Sequence, residues 1–255
     1  MSLFKTILNT IPRPWLIKAS LLAKPVLAIY YKGTTYTDPI DSKSYRKFLP
    51  YGYENQRENV LAPGTLSLER HRLLWLYLNR HSDFFKSSKK VLHVAPEQCF
   101  HKLFKKQQNL DYTTTDLFSP LADVKADICD LPFKDNSYDI IFCNHVLEHI
   151  VDDTKAMSEL YRVLKPGGWG IFQIPQNVNK KNTYEDFSIT SPEERRKHFG
   201  QYDHVRVYGL DYFDRLSKIG FEVKQFKVVD HFSEAEIQKY ALMKNEILPI
   251  CFKPS

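Results

Sequence analysis

Apolar positions recur three and four residues apart in SLERHRLLWLYLNRHSDFF (67–85), where Leu73, Leu74, Leu76, Tyr77 and Leu78 sit among charges. That spacing predicts a helix, with Ser67 as its N-cap. From Lys89 onward two periods alternate. KKVLHVA, DYTTTD, VKADI, YDIIFCN and WGIFQIP read as strands, and QCFHKLFKKQQN and DDTKAMSELYRVL read as the helices between them. Such alternation predicts an α/β fold, Rossmann-like and doubly wound, around a mostly parallel sheet covered on both faces. LKPGG (164–168) reads as the stop of the second helix, its glycines supplying a left-handed cap. Farther on, GLDYFDRLSKIG predicts a helix, and GFEVKQFKVV and NEILPICFK predict two strands that close the sheet as an antiparallel C-terminal hairpin. The sheet then has seven strands.

Between these elements, residues 176–208 are polar and aromatic with few helix or strand signals. A connection that long is expected to be a lid or a binding loop. The chain divides on this reading into an N-terminal extension, 1–66, and a main domain, 67–255.

Composition narrows the picture. Apolar residues make up 43% of the 255, as in a globular protein. A formal charge of +6 permits an anionic partner without requiring one. Nucleic acid is not expected, because the cations are dispersed and no aromatic-basic recognition motif is present. Cys99, Cys129, Cys143 and Cys251 lack the paired spacing of a zinc site or disulfide framework, which points to reduced thiols and a cytoplasmic setting. Residues 1–37 carry Lys5, Arg13, Lys18, Lys24 and Lys32 among apolar residues and no acid before Asp38. Two lysines and three prolines interrupt the run 15–31 and its surroundings, which argues against a spanning helix. Peripheral contact with an anionic membrane and packing on the protein's own core both remain open for it.

The stretch VLHVAPEQ (91–98) is where candidate chemistry begins. In an open parallel sheet, ligands bind beyond the carboxyl ends of the strands, where the first strand turns into its helix. Asp116 follows at the end of the second strand, where a carboxylate can take both hydroxyls of a ribose. A dinucleotide needs glycines in that first turn so that the backbone can approach a pyrophosphate, and here the turn is Ala95-Pro96-Glu97. A nucleoside without phosphates, such as S-adenosylmethionine, relaxes the demand.

ADICDLPFKDNSYDIIFCNHVLEHIVDD (126–153) and ELYRVLKPGGWGIFQIP (159–175) resemble class I S-adenosylmethionine-dependent methyltransferases of the small-molecule type. Their D-x-x-D-L-P-F, H-V-L-E-H and L-K-P-G-G motifs carry the resemblance, over about residues 89–175. It implies S-adenosylmethionine as cofactor, with Asp127 and the Ile128 backbone at the adenine, Asp116 with Leu117 at the ribose, and Asn144 and His145 on the methionine side. The first motif departs from the family: His93 stands where the family has an acid, and Ala95 where it has glycine. Glu97 either binds the methionine ammonium or favours a helix N-terminus electrostatically. Arg70 is a candidate for the methionine carboxylate. His149 is assigned to the fold rather than to chemistry, and Cys129 and Cys143 to small buried hydrophobes.

Upstream, TDPIDSKSYRKFLPYG and LAPGTLSLERHRLLWLYL resemble a zinc-binding module that precedes some methyltransferases, with Asp38, Asp41, Ala62 and Thr65 at the metal-ligand positions. These cannot supply a thiolate or imidazole set, so no metal is expected there or elsewhere.

Methyl transfer is an in-line displacement that needs alignment, and a base when the acceptor is a hydroxyl or protonated amine. HFGQYDHVRVYG (198–209) offers His204 as first candidate base, with His145 second, and Tyr202, Arg206 and Tyr208 as acceptor-binding residues. The function expected is methyl transfer to a small or membrane-associated acceptor. The alternatives are an inactive S-adenosylmethionine-binding protein and a nucleotide-dependent oxidoreductase.

Overall fold

The computed structural model describes residues 23–52 and 56–255. They fall into two units, one running to Ser82 and including Val228–Glu246, the other formed by Asp83–Lys227 with Ile247–Ser255. All but the last three residues of the segment 67–85, and a segment placed by its sequence inside the terminal hairpin, thus fall in the first unit.

In the first unit β1 (Lys32–Asp38) pairs antiparallel with β2 (Lys43–Tyr45), and β3 (Leu49–Tyr51) with β4 (Arg57–Leu61). Helix α1 (Glu69–Arg80) follows, capped by Leu68 and not by Ser67. The Ser67 hydroxyl instead donates to Asp38 Oδ2 at 3.1 Å, because a buried carboxylate is a stronger acceptor to satisfy than a helix amide is a donor. Thr65 Oγ1 donates to the same oxygen, and Ile40 N to Asp38 Oδ1 at 3.0 Å. Asp41 accepts from Tyr45 Oη and Lys43 N, and Ala62 packs with Tyr45 and Phe48. Where the resemblance put metal ligands, a hydroxyl–carboxylate network and an apolar cluster hold the turns together.

Arg72, fully buried on α1, donates to the carbonyls of Val60, Ser67, Tyr240 and Ala241 and lies over the Phe48 ring at 4.7 Å. Segments distant in sequence are tied together by one guanidinium. Residues 1–22, most of the stretch considered for membrane contact, lie outside the described residues. Among those described, no helix is long and apolar enough to cross a membrane.

The second unit runs β5 (Lys89–Val94), α2 (Gln98–Lys105), β6 (Leu110–Thr115), β7 (Tyr138–Cys143), α3 (Asp153–Val163) and β8 (Leu164–Ile171). After β9 (Tyr184–Glu185), α4 (Pro192–Phe199) and β10 (Arg206–Val207), it continues through α5 (Tyr212–Ile219) and β11 (Glu222–Lys227) to β12 (Ile247–Phe252). The main sheet has the order β11-β12-β8-β7-β5-β6, parallel from β8 to β6 and antiparallel at β12 and β11. This is the Rossmann-like doubly wound sheet with its terminal hairpin. Period-2 alternation divides its faces: Leu92, Val94, Ile141 and Cys143 pack with Met157 and Leu160 of α3 and Leu216 of α5. On the other face His93 and Phe142 meet Phe104 of α2.

Three expectations change. VKADI contributes only one parallel bridge, Val124 to Thr115, so the sheet has six strands instead of seven. Asp123 Oδ2 accepts from both the amide and hydroxyl of Thr114, and that hook folds the segment against the end of β6. LKPGG ends the helix at Leu164, but its glycines do not form the cap. Leu164 is already extended, and the pairing jumps from Tyr138–Leu164 to Ile140–Trp169, making a bulge. Gly167 supplies its φ of +74°, and a Cβ on Gly168 would meet Asp139 O at 2.9 Å. Finally, 176–208 is not bare loop. β9 and β10 pair antiparallel, and α4 has the Ser191 cap, first-turn Pro192 and C-terminal Gly200 of a well-signalled helix.

Candidate functional site

β5 has β6 on one side and β7 on the other, so the chain reverses direction of travel across the sheet at VLHVAPEQ, the switch point at which such sheets bind ligands. Ala95 turns the backbone there with φ +50°, its amide donating to Thr115 O at 2.8 Å. A left-handed alanine does the work of the glycine expected in this turn, at a modest conformational cost. At the end of β6, Asp116 Oδ1 accepts from the amides of Phe118 and Ser119, at 2.7 and 2.6 Å, which fixes the carboxylate and leaves Oδ2 for another donor. Asp127 Oδ1 accepts from Cys129 N at 2.8 Å, beside buried Ile128. Leu117 is exposed next to Asp116.

Beneath the turn lies a buried polar chain. His93 Nδ1 is 2.7 Å from Tyr112 Oη, and its Nε2 is 2.5 Å from Glu97 Oε2. Asn144 Nδ2 donates to Glu97 Oε1 at 3.1 Å, and Gln173 N donates to Asn144 Oδ1. The acid missing from the strand has in effect moved to the turn, where a histidine on the strand holds it. Gln173 is 1% exposed, and neither end of its side-chain amide has a hydrogen-bond partner. A buried amide left so costs about 1–3 kcal/mol, the kind of debt a bound ligand relieves. These residues fit a ligand with an ammonium, a ribose and a neutral purine.

After β7 the chain places His145 at φ +54°, then a 3-10 turn, Leu147–His149. His145 Nδ1 is 3.3 Å from Glu148 Oε1, His149 Nδ1 is 3.4 Å from Asp203 Oδ2, and the rings of His149 and His204 meet edge to face at 4.7 Å. Burial opposes ionisation of Glu148, but His145 and His149 outweigh it and hold the carboxyl below its ordinary value. Burial pushes the His204 imidazole below its own, which favours the neutral ring with a lone pair free.

His204 and His145, the two candidate bases, thus stand with Glu148 at the same strand end. Tyr202 is exposed. The other two candidate acceptor contacts are already occupied. Arg206, 1% exposed, pairs with Glu185 at 2.8 Å and donates to Leu147 O, Ile150 O and Val151 O. Tyr208, fully buried, donates to Asp153 Oδ2 at 2.7 Å. Both brace the turn after β7; an acceptor could reach them only by breaking these bonds. Arg70 belongs to α1 of the first unit, where it opposes the burial that raises Glu246. A cleft of about 560 Å³ lined by Asp153, Glu185, Phe187, Arg206 and Arg215 contains none of residues 93–97, 116, 127 or 144. Glu148 and His149 were not legible as chemistry, since only folding brings them to His204.

Residues 80–172 match the methyltransferase domain family. An uncharacterized protein of Methanocaldococcus jannaschii is 29% identical over 125 residues, 48% of this chain and 55% of that protein. A ubiquinone/menaquinone biosynthesis C-methyltransferase of Pseudoalteromonas translucida is 50% identical over 62 residues, 23% of this chain and 25% of that one. The chain thus spans about half the length of the first of these relatives and a quarter of the second. A solved SAM-dependent methyltransferase from Archaeoglobus fulgidus aligns with a TM-score of 0.48 at 17% identity, over 71% of this chain and 93% of its own. The matched segment 80–172 contains the switch-point turn, Asp116, Asp127, Asn144 and the H-V-L-E-H turn, so the likeness in sequence falls on the residues that the sheet gathers at its carboxyl edge.

Proposed function

We propose that the chain is an S-adenosylmethionine-dependent methyltransferase acting on a small-molecule acceptor. The observation that carries this reading is that Ala95, Asp116 and Asn144 follow the carboxyl ends of β5, β6 and β7, with Glu97 bonded to Asn144 and Asp127 in the connection between β6 and β7, inside the segment that matches the methyltransferase domain family. The cofactor would supply a methyl group made electrophilic by a sulfonium. Asp116, with Leu117 beside it, takes the ribose hydroxyls through Oδ2. Asp127 and the Ile128 backbone read the adenine. Glu97, held by His93 and Asn144, takes the ammonium, and His145 closes the methionine side. The cluster of His145, His149 and His204 is the chain's means of accepting a proton from the acceptor, with Tyr202 exposed beside it.

The relatives named as quinone methyltransferases favour a small-molecule acceptor. Val26, Ile29 and Tyr30, exposed in the helical residues 23–30, favour the membrane-associated variety.

Calorimetry with S-adenosylmethionine and S-adenosylhomocysteine tests the reading. Binding is expected for both, and Asp116→Ala or Asp127→Ala should weaken it by about 1–3 kcal/mol while the fold survives. Binding of NAD in their place would overturn the assignment. Release of S-adenosylhomocysteine in a screen of acceptors separates an enzyme from an inactive binder.

A further inference from the structure

We propose that Glu148, His149 and His204 form a binding site for a divalent transition-metal ion. Among the described residues, one ligand atom from each of these three lies within 4.8 Å of the others. In tetrahedral geometry an ion at about 2.0–2.2 Å from each donor holds its donors about 3.3–3.6 Å apart, so the side chains complete the set by drawing together by about an ångström.

The group has the marks of a built site. Glu148 is 1% exposed, yet its Oε2 makes no hydrogen bond. A buried carboxylate with a ligand nitrogen of each imidazole within 4.8 Å and one oxygen lacking a donor is poised for a cation. Its other oxygen is steadied by His145, and Asp203 steadies His149, as outer partners orient metal ligands elsewhere. The two chain segments that supply ligands are locked to each other by the backbone: Val205 N donates to Glu148 O at 2.9 Å. Arg206, next in sequence, clamps the carbonyls of Leu147, Ile150 and Val151, while Glu185 and Asp153 balance its charge. The guanidinium therefore fixes the ligand turn without setting a bare positive charge against the ion.

Two imidazoles and one carboxylate suit zinc, iron, manganese or cobalt better than calcium or magnesium, which prefer oxygen. Three protein ligands leave coordination positions open, the arrangement of sites that bind a small molecule rather than of closed structural sites. Residues 148 and 149 lie more than 50 positions from 204, and only folding brings the three together. Within the methyltransferase reading, on which this last step rests, the open position would take an oxygen of the acceptor. His204 then serves as ligand and His145 keeps the role of base.

The test uses the full chain, stripped with a chelator, dialysed against zinc, manganese or, without oxygen, ferrous iron, and analysed for metal. Stoichiometric ion is expected in the parent and in His198→Ala, a control outside the group. It should be lost from Glu148→Gln and His204→Ala, and Asp203→Asn should bind about 10-fold more weakly. Cobalt-loaded parent should show ligand-field bands without thiolate charge transfer, a readout that needs no variant to fold; circular dichroism checks the variants. Absence of stoichiometric ion from the parent with every metal overturns the proposal. So does metal content unchanged in both ligand variants, or a thiolate band. Calorimetry with S-adenosylmethionine runs alongside: cofactor bound without ion rejects the metal site alone, and ion bound without cofactor rejects the methyltransferase reading alone.

Discussion

Two buried acids in this protein stand among groups of the sort that hold metals, and they are treated in opposite ways. Asp38, in the first unit, is fully buried and receives Thr65, Ser67 and the Ile40 amide, so that both of its oxygens are met by a hydrogen of the chain itself. Glu148, in the second, is equally buried but has histidines for neighbours and one oxygen that receives nothing. Hydroxyls satisfy a carboxylate and end its chemistry, whereas imidazoles stabilise it and remain able to bind a third party. The difference lies less in burial than in what kind of donor surrounds the acid.

The strongest way to break the comparison is to remove the brace on one side of it. Arg206→Ala takes the guanidinium from the carbonyls of Ile150 and Val151 and leaves Glu185 paired with Arg215 alone, and loss of one partner from a buried ion pair costs up to about 3–5 kcal/mol. Urea denaturation reads the loss. A midpoint unchanged from the parent would mean that the turn after β7 holds itself.

Glu246 sharpens the comparison as a partly buried acid, one with neither hydroxyls nor histidines. Burial pushes its carboxyl up to about 7, against the opposing charges of Arg70 and Arg57. Because the folded state binds this proton more tightly than the unfolded chain does, the stability it contributes is full below the ordinary carboxylate value. It is lost as pH rises through about 7, by up to about 3 kcal/mol. Glu246→Gln should abolish that slope, measured as ΔG of unfolding between pH 4.5 and pH 8; a slope that survives shows that another group sets it.

The smallest effect is expected at Asp38, whose carboxyl burial also raises. Asp38→Ala strands two hydroxyls and an amide, for about 1–3 kcal/mol, but Asp38→Asn keeps an acceptor and should recover much of it because hydroxyls can rotate. Equal losses in both would show that the charge, not the hydrogen bonding, holds the turns together.

The strands of the main sheet were legible because burial on both faces writes long apolar runs, as in VLHV and YDIIFC. The error at VKADI came from a side chain, Asp123, that prefers Thr114 to a strand partner, a choice no periodicity records. Other signals were present and passed over: Ser191-Pro192 with Gly200 announced α4, and Ser233 with Glu236 forms a capping box inside the segment taken for a hairpin connection. Asp116 follows the end of its expected strand, whereas Asp127, expected within VKADI, stands at the start of a turn with Oδ1 accepting from Cys129 N. Arg206 and Tyr208 were misjudged because polar residues in a presumed loop look available, and only the fold reveals that Asp153 and Glu185 are waiting for them. The Glu148–His204 group depends on a meeting between distant segments and had no local signature.

The bonds from Arg72 to the carbonyls of Tyr240 and Ala241 span 168 and 169 residues of sequence. During synthesis the N-terminal unit would therefore wait, its guanidinium bonded only to Val60 and Ser67, until nearly the whole chain had left the ribosome, while most of the strands of the second unit were already available to pair. Closing so large a loop is slow. The unit made first would be the one finished last, and the intervening time is when a chaperone would find it.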